Sequence, residues 1–240
     1  MRNLNDIMNA VGSDKGDQIG AKHNYAVLYD KFLSMYRANP INFVEIGIDR
    51  GQSTKGWYEY FEKAAVNMVD INDFSSYLNN DRIKCHAGNQ SVFTDMERIA
   101  KSIGSINVLI DDGGHCMDHQ QITFGAMFPF IVSGGLFFIE DILTSNYDPT
   151  VPSLSTPNGF CYGQPLLINK DKSNTTIRVF KNWQLTGVFK SDFLSPEKNI
   201  ELTDQIKDVV IYDDKNNKVD IMSSDENKIL DGGVICIVRK

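Results

Sequence analysis

Between residues 41 and 141 short apolar runs alternate with stretches of helical spacing. The runs are INFVEIGI, VNMVDI, RIKCHAG, NVLIDD and GLFFIED, and the segments between them pass through WYEYFEKA, MERIAKSI and ITFGAMFPFI. This alternation predicts βαβ units and therefore an α/β fold, a doubly wound, mostly parallel sheet with helices on both faces. In such sheets ligands bind beyond the carboxyl ends of the strands, near the point where strand order reverses. Ahead of this core, Leu4, Ile7, Met8 and Val11, then Leu28, Tyr29, Phe32, Leu33 and Tyr36, recur at helical spacing and predict two helices. After Asp141, ILTSNYDPTVPSLSTPNG is too long for a plain connector and reads as a functional or flexible loop. The remainder, TIRVFKNWQLTGVFK, VVIYDD and VICIVRK, reads as β-rich and suited to add antiparallel strands at the sheet edge. The expected organisation is one domain, 1–240, with an N-terminal helical segment at 1–39, a core at 40–141, a loop at 142–176 and C-terminal strands at 177–240.

At 240 residues a single large domain with a substantial core is feasible. The 42% hydrophobic and 23% charged fractions are ordinary for globular proteins. No apolar run approaches the roughly 20 residues of a membrane helix, so no membrane span is expected. The first residues lack the apolar stretch of a secretory signal. Four scattered cysteines without a CxxC pair favour reduced thiols and a cytoplasmic location. The net charge of −7 disfavours a nucleic-acid partner and fits a small or uncharged substrate better.

The chemistry concentrates at strand ends. The first strand runs into Glu45-Ile46-Gly47-Ile48-Asp49-Arg50-Gly51-Gln52-Ser53-Thr54. Its glycines permit a tight turn and close backbone approach of a ligand, but G-x-x-x-G is not the dinucleotide fingerprint, and an ordinary strand-to-helix turn is an equal reading. Asp70 ends the second strand, where an acidic side chain accepts hydrogen bonds from ribose hydroxyls; capping of the next segment is the alternative, with Asn72 and Asp73 as competitors. Gly88-Asn89-Gln90-Ser91 at the third strand end could face a purine ring or simply start the next helix. The fourth and fifth strands both end in acidic pairs, Asp111-Asp112 and Glu140-Asp141. If these strands are neighbours, about 4.8 Å apart, four carboxylates crowd one volume, and a hard cation such as Ca²⁺ or Mg²⁺ would relieve the repulsion; independent solvation of each pair is the alternative. His115, three residues beyond Asp112 in a glycine-rich turn, suits proton transfer near neutral pH. His119 is its competitor, and His86 and His23 have weaker local cases.

The segments GSDKG, HNYAVLYDKF, VEIGIDRGQS, VDIND, IDDGGH and FPFIVSGGLFFIEDILTS resemble the class I S-adenosylmethionine-dependent methyltransferases, and within them the metal-dependent sugar O-methyltransferases of the mycinamicin and rhamnosyl type. The resemblance spans roughly residues 12 to 146. It implies a seven-stranded Rossmann-like sheet with an N-terminal helical lid, S-adenosylmethionine and Mg²⁺ as cofactors, and methyl transfer to a sugar hydroxyl. It implies Asp112, Glu140 and Asp141 as metal ligands and His115 as general base. Glu45, Gly47 and Gly51 would line the methionine end of the cofactor and Asp70 the ribose, while Ser53, Asn89 and Gln90 remain candidate cofactor contacts from the strand ends themselves. Asp111 would contact the cofactor or support a ligand. The N-terminal segment would bring Asp14, Lys15, His23 or Tyr25 to cofactor or substrate. Gly114 departs from the serine common at that place. The 142–165 loop, with Tyr147, Phe160 and Tyr162, would grip the sugar, which could be free or carrier-linked. Self-association into a homo-oligomer is implied as well. A cephalosporin-hydroxylase-like oxidative enzyme and a non-catalytic cofactor-binding subunit are the competing readings.

Overall fold

The computed structural model describes residues 2–20, 22–142, 154–155, 161–162, 174–213, 215–219 and 233–240. Two helices, α1 (Leu4–Val11) and α2 (Tyr25–Leu33), precede β1 (Asn42–Ile46). There follow α3 (Gln52–Tyr60), β2 (Ala65–Asp70), α4 (Ser75–Leu78), β3 (Ile83–Ala87), α5 (Phe93–Ile103), β4 (Ile106–Asp111), α6 (Met117–Met127) and β5 (Ile131–Ile139). Beyond them lie a two-residue hairpin, β6 (Leu154–Ser155) with β7 (Cys161–Tyr162), then α7 (Thr176–Thr186), α8 (Pro196–Gln205), β8 (Ile206–Tyr212) and β9 (Val234–Arg239).

The seven-stranded sheet runs β3-β2-β1-β4-β5-β9-β8. Strands β1 to β5 are mutually parallel, and β9 lies antiparallel to both β5 and β8. The order reverses between β1 and β4, as the alternating pattern requires of a doubly wound sheet. Residues along the central strands alternate between two buried faces: Val44, Ile46, Leu109, Phe137 and Ile139 join one core, and Phe43, Val108, Ile110 and Phe138 the other. The first core is closed by residues of α5 to α8, including Met96, Phe124, Phe180 and Leu202. The second is closed by α1, α2 and α3 through Leu4, Met8, Tyr29 and Trp57. Strands covered on both sides read as near-continuous apolar runs, which is why these segments were visible in the sequence.

Two expectations need correction. The segment 177–240 is not all strand, because Thr176–Thr186 is a helix, ended by left-handed Gly187, and Pro196–Gln205 is a second one. Ile177 and Phe180 share a buried helical face at i, i+3, but the Thr, Val and Phe content of this stretch favours strands intrinsically, and packing against α6 decided the outcome. The second helix carries local signals: Ser195 accepts from the Lys198 amide and Pro196 occupies the first turn. The cysteines also differ from the expected set of thiols. Cys85 and Cys236 are free, but Cys116 is disulfide-bonded, because residues scattered in sequence can still meet in space. The cysteine argument for a cytoplasmic location therefore falls away. Among the described residues no helix is long and apolar enough to cross a membrane.

Candidate active site

The parallel register brings four strand ends to one level. Ile46 pairs with Val69 and with Asp111, and Asp111 pairs with Ile139. The ladder continues one step beyond the strands, with Gly47 N–H donating to the Val69 carbonyl, Asp112 N–H to Ile46 and Glu140 N–H to Asp111. The acidic pairs of β4 and β5 are thus neighbours, as their shared sequence pattern suggested. A side chain at Gly47 has no room: its φ is +94°, and a Cβ there would press against the Asp112 carbonyl oxygen.

Asp112 Oδ1 and Asp141 Oδ2 both face His115 Nε2, at 3.8 and 3.7 Å. One ligand atom from each residue falls within 4.8 Å of the others, a spacing at which one ion could be held. His115 (φ +56°) and Asp141 (φ +51°) both adopt the left-handed backbone conformation, which is uncommon outside glycine and concentrates at functional sites. The second Asp141 oxygen, Oδ1, accepts from the Tyr25 hydroxyl at 2.6 Å. Burial alone would raise the Asp141 carboxyl, but His115, His23 and Tyr25 outweigh it and hold it below the usual range.

Glu140 sits beside this group but points elsewhere. Lys15 Nζ reaches both its oxygens, at 2.9 and 2.8 Å, and the Tyr29 hydroxyl donates to Oε1 at 2.6 Å. The same ammonium contacts Asp112 Oδ2 and lies 3.5 Å from Glu45 Oε1. Burial works against the charged lysine, yet Asp112, Glu140 and Glu45 together hold its pKa well above the ordinary value. Burial and the adjacent Asp112 push the Glu140 carboxyl upward. Lys15 and Tyr29 are the residues that sequence reasoning placed loosely or missed. The available signals were a lysine in the glycine-bounded GSDKG and tyrosines 25 and 29, four apart on one face of α2.

On the other side of β1 the turn through Gly47 and Gly51 leads into the start of α3. Gly51 is left-handed (φ +75°) and α3 has no side-chain cap, so its first amides are open to an acceptor. Asp70 reaches this turn, with Oδ2 accepting from Ile48 N–H at 3.0 Å and Oδ1 from Asn72 N–H at 2.9 Å. Glu45 is fully buried, pushed up to about 6 by burial, and accepts from Ser53 Oγ at 2.7 Å. Asp111 accepts from the Gln90 amide and is pushed up to about 8 by burial. Its other oxygen, Oδ2, is buried without a hydrogen-bond partner. Gln90 Oε1 in turn accepts from Gly114 N–H at 2.8 Å, so the Gly114 backbone is held even though no serine stands there. Asn89 Oδ1 is taken by Ser91 N–H and Oγ, which is the local-turn role. Tyr25, expected at the cofactor, has its hydroxyl on Asp141, on the acidic side. His119 lies near Asp118 at 4.0 Å, and the adjacent Cys116 is in a disulfide rather than available as a thiolate. Tyr147 and Phe160 lie outside the described residues, as does the side chain of Tyr162.

No family model matches the chain. It is similar to the 8-demethyl-8-(2-methoxy-alpha-L-rhamnosyl)-tetracenomycin-C 3'-O-methyltransferase of Streptomyces olivaceus, 31% identical over 148 residues, 58% of this chain and 37% of that protein. It is also similar to the L-olivosyl-oleandolide 3-O-methyltransferase of Streptomyces antibioticus, 33% identical over 153 residues, 60% of this chain and 38% of that protein. The chain thus matches little more than a third of the length of these curated relatives. Among solved structures, MycE methyltransferase from the mycinamycin pathway, in complex with Mg, SAH and mycinamycin VI, superposes with a TM-score of 0.72 at 23% identity, covering 99% of this chain and 54% of that one. The fold is that of the class I methyltransferases. The Gly47–Gly51 turn follows β1 and the Asp112–His115–Asp141 group follows β4 and β5, where the strand order reverses.

Proposed function

We propose that the protein transfers a methyl group from S-adenosylmethionine to a hydroxyl of a sugar, with a divalent cation, Mg²⁺, in the site. The observation that carries this reading is the convergence of Asp112, His115 and Asp141 beside the Gly47–Gly51 turn, in a fold whose neighbour MycE was solved with Mg and SAH. The residues present fit both groups. Gly47, the open amides of α3 and Asp70 suit a nucleoside ligand with a charged tail, with Glu45 and Ser53 nearby and Asp111 Oδ2 buried without a hydrogen-bond partner. Asp112 and Asp141 would hold the cation, which when bound supplies Lewis acidity and so lowers the pKa of a hydroxyl.

The chain's own residues do the rest. His115, with Nε2 turned toward the shared volume, accepts the hydroxyl proton, and Tyr25 and the left-handed turn at Asp141 fix the carboxylate that faces it. The Gly47–Gly51 turn and the acidic group would hold the two reactants close, which is how such a site contributes most when the methyl donor is already activated. A second reading has a specific observation behind it: His115 Nε2 stands at ligand spacing from both carboxylates and could complete the metal shell itself. An oxidative enzyme is less well supported, because the group holds one histidine and two carboxylates where two histidines and one carboxylate would be expected.

The test is transfer of labelled methyl from S-adenosylmethionine to a panel of nucleotide-linked and glycoside-linked sugars, with and without EDTA, for wild type, Asp112→Asn and His115→Ala. Magnesium-dependent transfer that disappears in Asp112→Asn, with cofactor binding retained, is expected. Undiminished turnover in EDTA would reject the metal. If His115→Ala binds metal as wild type but does not turn over, His115 is the base; if it loses the metal, it is a ligand.

A further inference from the structure

We propose that Gln120 is a positioning residue: its buried side-chain amide holds the peptide between Glu140 and Asp141 and so sets where the Asp141 carboxylate stands against His115. This inference rests on the metal and methyl-transfer reading above, and it concerns a residue of α6 that none of the strand-end motifs contains. Gln120 is fully buried, and its Nε2 donates to the Glu140 carbonyl at 3.1 Å. A carbonyl oxygen only accepts, so the nitrogen is the end of the amide that faces it.

The reason for this bond lies in how β4 leaves the sheet. Glu140 N–H donates to the Asp111 carbonyl at 2.9 Å. In a continuing parallel ladder the Glu140 carbonyl would then accept from the amide of residue 113. Gly113 N–H instead turns back to Asp111 Oδ1 at 3.3 Å, as the chain departs into the Gly113-Gly114-His115 turn. Gln120 supplies the donor that the departing strand withholds. The Glu140 carbonyl and the Asp141 nitrogen lie in one peptide plane, so a donor fixed on the carbonyl restricts the φ of Asp141. That φ is +51°, a left-handed value that persists outside glycine only where the surroundings hold it. Helix α6 also starts next to His115, with Gln120 N–H donating to the Cys116 carbonyl at 3.0 Å. One side chain thus links the backbone beside His115 to the backbone that carries Asp141, whose Oδ2 stands 3.7 Å from the imidazole.

Gln121, the next residue of α6, is a matched control. It is equally buried, its Nε2 donates to the Asn174 carbonyl at 2.9 Å, and in both side chains Oε1 has no hydrogen-bond partner among the described residues. Mn²⁺ affinity by electron paramagnetic resonance, thermal unfolding and methyl transfer are compared for wild type, Gln120→Met and Gln121→Met. Each variant removes one buried amide–carbonyl bond and keeps an unbranched side chain of similar length, so both should lower Tm by similar amounts. Only Gln120→Met should also bind Mn²⁺ about tenfold or more weakly, in the range that supporting partners cost a metal site, and lower kcat with KM for S-adenosylmethionine unchanged. Gln120→Asn keeps the amide but withdraws it by one methylene; it should weaken Mn²⁺ binding in the same sense, and it carries the comparison if Gln120→Met does not fold. Wild-type Mn²⁺ affinity in the Gln120 variants, or the same loss in Gln121→Met, would overturn the proposal and leave the metal reading standing. Wild type that binds no Mn²⁺ would reject the metal reading, and this inference with it.

Discussion

Removing the Tyr29 hydroxyl tests how much the buried acidic cluster depends on its neutral donors. In the native protein this hydroxyl donates to Glu140 at 2.6 Å in a fully buried setting, while the ring packs edge-on against Phe138 at 5.0 Å and Trp57 at 5.9 Å. Tyr29→Phe deletes one oxygen and keeps these ring contacts, so its cost isolates a hydrogen bond to a charged, buried acceptor, about 1.5–3 kcal/mol. For a chain of this length each kcal/mol moves Tm by roughly 2–4 °C, giving a fall of about 3–12 °C. Tyr60→Phe is the internal control. Its hydroxyl donates to Asp30 Oδ1 at the same 2.6 Å, but Asp30 is half-buried and water can replace the lost donor, so the expected cost is no more than about 1 kcal/mol. Urea unfolding followed by tryptophan fluorescence gives both numbers, and an unchanged slope with denaturant confirms that only stability has altered. Equal losses in the two variants, or a loss below about 0.5 kcal/mol in Tyr29→Phe, would show that burial of the acceptor does not set the value of these bonds.

Two further perturbations follow from the strand ends. Gly47→Ala forces a side chain into a left-handed conformation and against the Asp112 carbonyl, and should cost at least about 1–3 kcal/mol of stability in thermal unfolding; a variant as stable as wild type would mean the turn is not held by the β4 backbone. Asp111 has a folded pKa of about 8, raised by burial, so between about pH 4 and pH 8 the native state holds a proton that the unfolded chain has released, and this contribution lowers stability as pH rises through that window. Asp111→Asn should flatten the decline in urea midpoint across these pH values, and an unaltered slope would place the titration elsewhere.

The strands, the order of elements and the acidic strand ends were legible because their signal is local. A strand covered on both faces writes itself as an apolar run, and its polar end follows within a residue or two. The helix at Thr176–Thr186 was not legible, since its β-favouring residues became helical only by packing. The sequence by itself determined that β4 and β5 each end in a carboxylate pair and that a histidine lies just beyond one of them. Only the tertiary structure decided that these ends lie level, through the Asp111–Ile139 register, and which oxygen faces which partner. It also brought Lys15 to Asp112 and Glu140 across separations of 97 and 125 residues. No local pattern encodes that meeting, because the three charges share one buried volume only after the N-terminal segment has packed over the sheet.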